Sequence, residues 1–160
     1  DITFTRHNFH SDEIESKFVL REPLIFILPK DHLLAKYERI PVTALNGIDF
    51  IIPAKEQSST LHDVILDFAK AHSIEFNIVQ RADNILFNIN SIGMGLGCTI
   101  LPGYIAPLTM NNTVIRSLDV ELPYLDLYAS YRKDRNSVAV DKFIELLTRV
   151  FYLDINRTEG

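Results

Sequence analysis

Three consecutive hydroxyl residues, Ser58, Ser59 and Thr60, have the side-chain types of an anion-binding site. They stand at the predicted start of a helix, where the first backbone N–H groups have no partner inside the helix. The helix macrodipole favours a negative charge there by about 0.3–1 kcal/mol. Capping of the helix requires only one serine and would be consistent with the same sequence. The sequence therefore leaves two interpretations, contact with a ligand and simple capping.

Two arginines and two tyrosines are further candidates for ligand contact. Arg6 and Arg21 stand at or near the ends of predicted strands, where a guanidinium could pair with a ligand carboxylate. Asp83 is a candidate internal partner, and an ordinary surface ion pair of little energetic value is the alternative. Tyr104 follows one predicted strand and Tyr128 lies within another, so either could line a cleft or belong to the core.

Catalytic and metal-binding patterns are weak. Ser59, His62 and Asp63 are the residue types of a hydrolase triad, but adjacent helical residues diverge by about 100°, so Asp63 cannot orient His62. The polar segment 7–15 carries His and acidic residues that could hold a metal in a turn, namely His7, His10, Asp12, Glu13 and Glu15. It lacks a recognised ligand spacing, which favours a solvated loop. We therefore expect no enzyme, no metal and no cofactor.

The glycine-rich stretch from Asp83 to Pro102 predicts a connection inside the core. Asp83 is the predicted helix cap, apolar residues then recur at helical spacing, and three glycines precede a short apolar strand, Cys98–Leu101. A phosphate cradle needs the order strand, glycines, helix, so that the helix N-terminus faces the anion. The order here is the reverse, and a tight helix-to-strand link is favoured.

Strands and helices alternate along the chain, which predicts an α/β architecture with ligands gathered at strand ends. The run 24–28 before Pro29 predicts a strand covered on both faces, as in a mostly parallel sheet. Predicted strands are 2–6, 18–28, 49–52, 76–80, 98–101, 114–118 and 124–131. Predicted helices begin at Pro41, at Ser58 or Ser59, at Asp83, and at Asn136 or Ser137, and 154–160 is a predicted polar tail.

The composition indicates a globular chain of 160 residues, with 47% hydrophobic and 23% charged residues. Its net charge of −5 repels phosphate backbones, so we expect the chain by itself to bind nucleic acid poorly. No apolar run is long enough to cross a bilayer, and the N-terminus does not resemble a signal peptide. Cys98 cannot form an internal disulfide, and its apolar neighbours indicate a buried thiol. These features predict a cytoplasmic protein.

Two stretches resemble the effector-binding domain of LysR-type transcriptional regulators. Residues 21–35, Arg-Glu-Pro-Leu-Ile-Phe-Ile-Leu-Pro-Lys-Asp-His-Leu-Leu-Ala, are similar to the family's strand with a terminal proline and its His-Pro-Leu-Ala turn. Residues 93–102 are similar to its Gly-x-Gly-(Val/Ile)-x-(Leu/Ile)-x-Pro stretch. Residues 1 to about 150 follow the family pattern in order, and regulators of aromatic-acid breakdown, such as phenylpropionate or benzoate, are the most similar members.

The resemblance implies a periplasmic-binding-protein-like fold, in which two α/β lobes are joined by two crossing strands. Lobe I would comprise residues 1–43 and 119–160, and lobe II residues 44–118. Residues 1–6 are similar to the family's third strand, so lobe I would be incomplete at its N-terminus. The family's DNA-binding helix-turn-helix would be absent from this chain. Ser73 departs from the family, which usually ends this helix with glycine.

The resemblance also implies a ligand-sensing role in transcription. A small effector, expected to be an aromatic carboxylate, would bind between the lobes at residues 58–60, and Arg6 and Arg21 match positions where aromatic-responsive members carry arginine. The partners would be a second copy or a tetramer, and DNA through the helix-turn-helix outside this chain, with no membrane. A solute-binding protein of a transporter, with the same fold, is the alternative, and the residues that precede this chain would discriminate between the two.

Overall fold

The computed structural model describes residues 2–9, 11–109, 111–134 and 137–155. The elements are, in order, β1 (Ile2–Thr5), β2 (Ile14–Pro29), β3 (Arg39–Ile40), β4 (Asp49–Pro53), α1 (Ser59–Ala71), β5 (Asn77–Ala82), α2 (Ile85–Gly93), β6 (Thr99–Pro102), β7 (Thr113–Leu118), β8 (Tyr124–Arg132) and α3 (Val138–Ile155). Short 3-10 helices cover Leu33–Lys36, Val42–Leu45 and Gly103–Leu108.

The chain forms two compact units. The first unit combines Asp1–Glu22 with Leu125–Gly160, and the second unit is Pro23–Tyr124. These bounds differ from the predicted lobe bounds at 43/44 and 118/119, because 23–43 and 119–124 belong to the second unit. The assignment of the units to the two lobes of a ligand-binding domain stays a prediction.

The first unit is built on antiparallel strands. β1 pairs with β8 from Ile2 opposite Tyr131 to Thr5 opposite Tyr128, and β8 lies next to the first part of β2. The hydroxyl groups of Ser16 and Ser130 are 2.7 Å apart, which links β2 to β8 beyond the backbone ladder. Ile144 of α3 is buried, and the inward face of β8 supplies Leu125, Ala129 and Tyr131 to the core.

The predicted mostly parallel sheet around β2 is wrong. In the second unit, β2 pairs antiparallel with β6 on one side and with β7 on the other. The apolar run was nevertheless a sound sign of burial, since Phe26, Ile27 and Leu28 have no exposed surface. A continuous apolar run results from burial on both faces of a strand. It therefore does not predict whether the neighbouring strands are parallel or antiparallel.

Parallel pairing does occur at β4, which is the centre of the candidate site. β4 pairs in parallel with β5, with Pro53 opposite Ala82 at their carboxyl ends, and Phe50 bridges to Cys98 in parallel on the other side. Helices α1 and α2 both contact β4. Their buried residues lie at helical spacing and include Leu61, Ile65 and Phe68 of α1 and Ile89 and Ile92 of α2.

Several element boundaries differ from the sequence prediction. Asn84, and not Asp83, caps α2, because its side chain accepts a hydrogen bond of 2.8 Å from the backbone N–H of Phe87. β2 begins at Ile14 instead of near residue 18, and α3 continues through Ile155 into the predicted tail. The alternative cap of α3, residue 136, and residues 156–160 lie outside the described residues.

Candidate functional site

The N-terminus of α1 lies at the carboxyl ends of the parallel strands β4 and β5. The chain leaves β4 at Pro53, and α1 begins at Ser59 after a short loop. Ser58 is the N-cap residue by position, but its side chain makes no capping hydrogen bond. Its backbone carbonyl still accepts the helical bond from His62 at 3.0 Å. The first turn of α1 therefore receives no side-chain hydrogen bond from its N-cap residue.

The neighbouring helix start is different. α2 begins beyond the carboxyl end of β5, and there Asn84 satisfies the N–H of Phe87 with its side chain. Ser59 is exposed, and Ser58 and Thr60 are partly exposed. Both helices begin at the same edge of the parallel strands, but only α2 receives a hydrogen bond from the side chain of its N-cap residue. Simple capping by Ser58, one of the two interpretations left open by the sequence, is not what the side chain does.

The first turn of α1 is held in place by its following residues. His62 Nδ1 lies 2.8 Å from the carbonyl oxygen of Pro53, which ties the turn to the end of β4. Asp63 pairs with Lys55 of the loop at 3.0 Å, and both side chains are at least half exposed. His62 and Asp63 therefore have separate partners, as expected from their divergence on the helix, and no Ser-His-Asp arrangement forms here.

Tyr104 stands after the third strand that ends at this edge. The Phe50–Cys98 bridge is parallel, so β6 runs in the direction of β4, and the 3-10 helix Gly103–Leu108 begins where β6 ends. Tyr104 is 56% exposed. Tyr104 therefore lies at the rim of the carboxyl edge. It is not a core residue, which was one of the two alternatives that the sequence left open.

The first unit brings Arg6, Arg21 and Tyr128 to one set of strands. Arg21 forms a two-pronged ion pair with Asp126, with Nε and Nη2 at 2.8 and 3.1 Å from the two carboxylate oxygens. The hydroxyl of Tyr128 lies 3.4 Å from Asp126, and its ring meets Phe18 edge-on at 6.0 Å. Arg21 thus already has an internal carboxylate partner, which corresponds to the ion-pair alternative.

The electrostatics of this cluster follow from its geometry. The hydrogen bond from Arg21 is the main cause that lowers the pKa of Asp126, and the charges of Arg21 and Arg6 add to it. Burial and the negative charge of Asp126 raise the pKa of Tyr128, so this phenol stays protonated. Arg6 donates one hydrogen bond of 3.3 Å to the carbonyl of Leu125, which holds its guanidinium beside Asp126 without neutralising it.

Sequence reasoning missed Asp126. The signal was present, because Asp126 and Tyr128 are two residues apart on a predicted strand and such residues share one face. The pairing with Arg21 could not be predicted from the sequence, since the two residues are far apart along the chain and meet only through the neighbouring positions of β2 and β8.

Two negative observations concern the described residues alone. Within 2–9, 11–109, 111–134 and 137–155, no group of three or more His, Cys, Asp or Glu residues is close enough to hold a metal ion. His10 of the polar segment lies outside these ranges. No described helix is long and apolar enough to cross a membrane.

A family model described as the LysR substrate binding domain matches residues 1–151. The chain belongs to this family. The Hca operon transcriptional activator HcaR of Escherichia coli K12 is 32% identical over 147 residues, which are 92% of this chain and 50% of HcaR. This LysR substrate-binding domain therefore spans about half the length of that transcriptional activator.

Solved structures confirm the fold of this LysR substrate-binding domain. The regulatory domain of CcmR from Synechocystis PCC6803, in complex with 2-PG, has a TM-score of 0.81 at 21% identity, over 94% of this chain and 73% of that one. The BenM effector-binding domain with its effector benzoate has a TM-score of 0.79 at 14% identity, over 96% and 70%. At these identities the likeness shows the fold, and it confirms the predicted α/β, periplasmic-binding-protein-like class.

Proposed function

We propose that this domain senses a small carboxylate, expected to be aromatic, and that the N-terminus of α1 receives the carboxylate group. The observation that carries the proposal is the uncapped first turn of α1 at the carboxyl edge of β4 and β5, beside the hydroxyls of Ser58 and Ser59. A carboxylate there would accept hydrogen bonds from helix N–H groups and from the hydroxyls. Thr60 and Tyr104 are further proposed contacts at the same edge.

The strength of such binding requires more than one helix end. Micromolar affinity corresponds to about 8 kcal/mol, whereas the macrodipole contributes about 0.3–1 kcal/mol and a charged hydrogen bond about 1.5–3 kcal/mol. Apolar contacts with the body of the ligand must therefore supply much of the rest. BenM, whose effector benzoate is a carboxylate on an apolar ring, is a neighbour with this ligand chemistry.

Arg6, Arg21 and Tyr128 of the first unit remain proposed effector contacts. Arg6 supports this role best, because it donates a hydrogen bond to the Leu125 carbonyl and to no carboxylate among the described residues. A ligand carboxylate at Arg21 would have to compete with Asp126, so we propose that Arg21 chiefly orients Asp126. Tyr128 would present its ring edge and hydroxyl to a ligand.

For the whole protein we propose a transcriptional regulator, as HcaR is named. Its DNA contact would come from a helix-turn-helix outside this chain, and it would act as a homodimer or tetramer in the cytoplasm. Effector binding can shift such a protein between states only by its difference in affinity for them. The alternative from the sequence, a solute-binding protein of a transporter, receives no support from the family match, which is to the LysR substrate binding domain.

The test is a thermal-shift and calorimetric titration of the chain with benzoate, phenylpropionate, cinnamate and muconate, each beside its uncharged amide. We expect at least one acid to bind and its amide to bind at least about tenfold more weakly, since a charged hydrogen bond is lost. The double variant Ser58→Ala, Ser59→Ala should weaken binding by about tenfold. Thr43→Ala, which removes an exposed hydroxyl elsewhere in the second unit, is the matched control. An amide that binds as well as its acid would show that the helix-end site is wrong.

A further inference from the structure

A groove that contains no residue of α1 lies in the second unit. Its volume is about 280 Å³, and it lies beside an interior stretch of β2, residues 23–26, and the carboxyl end of β7. The pairing of these strands runs from Pro29 opposite Thr113 to Phe26 opposite Arg116. Beyond that point Leu24 donates instead to the carbonyl of Pro123, at 3.3 Å, so the loop after β7 closes the far end. The groove thus forms where the two strands part.

Two arginines line this groove, and backbone carbonyls hold them in position. Arg39 Nε donates to the carbonyl of Leu118 at 2.9 Å. Arg116 donates through Nε to Ala35 at 3.1 Å and through Nη1 to Ile115 at 3.0 Å. Neutral carbonyls orient a guanidinium but do not neutralise it. Among the described residues, we find no hydrogen bond from either η nitrogen of Arg39 or from Nη2 of Arg116.

The other titratable groups leave the groove with a positive balance. Glu121 lines the same groove, and no ion pair between it and either arginine occurs in the described part of the chain. A neighbouring cavity of about 340 Å³ shares the Arg116 wall and adds Lys36 and Glu38. The two cavities therefore contain three cationic side chains and two carboxylates. Their balance is +1, from three positive and two negative side chains, whereas the whole chain carries −5.

The remaining lining is largely apolar and comes from β2, β7 and the loop that follows β7. Its partly exposed apolar members are Ile25, Ile115, Val120 and Leu122. Ligand sites typically combine such a lining with a few placed polar groups. A bare phosphate would leave the apolar surface uncovered, and an uncharged ligand would bury guanidinium groups without a counter-charge.

We propose that this groove binds a small carboxylic acid with a compact apolar body, through the free guanidinium nitrogens of Arg39 and Arg116. A planar guanidinium matches both oxygens of a carboxylate, which a point charge does not. The proposal is independent of the proposed effector site, since the two share no residue. A weak site is expected, with a dissociation constant of about 1 mM, because the groove is small and open.

The experiment is a titration of the ¹⁵N-labelled chain with benzoate, followed by the backbone amide signals. We expect saturable shifts at Leu24, Ser117 and Leu118, and binding about tenfold weaker for both benzamide and inorganic phosphate. Arg39→Gln should weaken binding at these amides by about tenfold. Lys30→Gln removes the same charge from an exposed position in the same unit and should change nothing.

The outcomes separate this groove from the helix-end site. The double variant Ser58→Ala, Ser59→Ala should leave the shifts at Ser117 and Leu118 unchanged, whatever happens at the start of α1. The proposal is overturned if these amides do not respond to benzoate, or if benzamide or phosphate binds as tightly. An unchanged dissociation constant in Arg39→Gln, in a variant whose spectrum is otherwise native, would also overturn it.

Discussion

Replacement of Gly97 by alanine should destabilise the second unit severely. An added Cβ at Gly97 would lie 2.8 Å from the backbone oxygen and 3.1 Å from the carbonyl carbon of Asp49. The obstacle is backbone of β4, which cannot rotate away as a flexible side chain could. Gly97 is needed because its backbone approaches another strand closely, and its own backbone conformation lies outside the left-handed region.

The cost follows from the distances. Relief of the contact to about 3.4 Å, the near edge of ordinary contact, requires a separation of about 0.6 Å, since 3.4 minus 2.8 is 0.6. The hydrogen bonds from Cys98 N to Asp49 O and from Ile51 N to Cys98 O are both 2.8 Å, and the same shift would stretch them past the usual range. Overpacking costs about 1–3 kcal/mol, and two weakened bonds cost about 0.5–1.5 kcal/mol each. The entropy effect of Gly→Ala offsets about 0.4–1 kcal/mol, which leaves a cost of about 1–5 kcal/mol.

Gly95 provides the matched control two residues earlier. A Cβ there meets nothing within 4 Å, but its φ of +81° is in the left-handed region. Gly95→Ala should therefore cost only about 1 kcal/mol, and Gly95→Asn less, because asparagine tolerates this conformation. Asparagine at Gly97 should be as harmful as alanine or worse. The two glycines thus share a motif and differ in the substitution that each accepts.

Urea unfolding followed by circular dichroism measures the free energies of unfolding, and amide hydrogen exchange at Ile51 and Cys98 reports on the strand contact itself. Protection at these two amides should fall in Gly97→Ala and persist in Gly95→Ala. The reasoning is refuted if Gly97→Ala costs no more than Gly95→Ala while both amides stay protected.

Three further predictions concern single residues. Ser73 has a φ of +55° after the end of α1, so Ser73→Gly should stabilise the domain by about 0.5–1 kcal/mol in urea unfolding, and Ser73→Val should destabilise it. Burial raises the pKa of Cys98 to about 12, so its thiol should not react with a disulfide reagent at pH 8 until the chain unfolds. Arg21→Gln should raise the pKa of Asp126 in a carboxyl NMR titration. Because this pKa is lowered on folding, its small stabilisation is present above about pH 4 and is lost as the pH falls through the folded value; unchanged titration would contradict the ion pair.

Patterns that are local in the sequence predicted the fold best. The apolar spacing of α1 reappears as its buried face, and the order helix, glycines, strand was correctly recognised as a core connection. Ser73, singled out where the family usually has glycine, does adopt the left-handed conformation. Strand direction around β2 was not predictable, since an apolar run responds to burial alone.

The side-chain caps of α1 and α2 could not be predicted from the sequence. Ser58 and Asn84 are both helix-start residues with short polar side chains, and serine and asparagine have similar N-cap preferences. The side chain of Asn84 accepts from the helix, whereas that of Ser58 does not. The difference arises from the path of the chain into each helix: Asn84 has the extended backbone of a cap, with φ −150° and ψ 163°, and Ser58, with ψ 74°, does not. The conformation of the chain before each helix therefore decides which of two similar helix starts receives a side-chain cap.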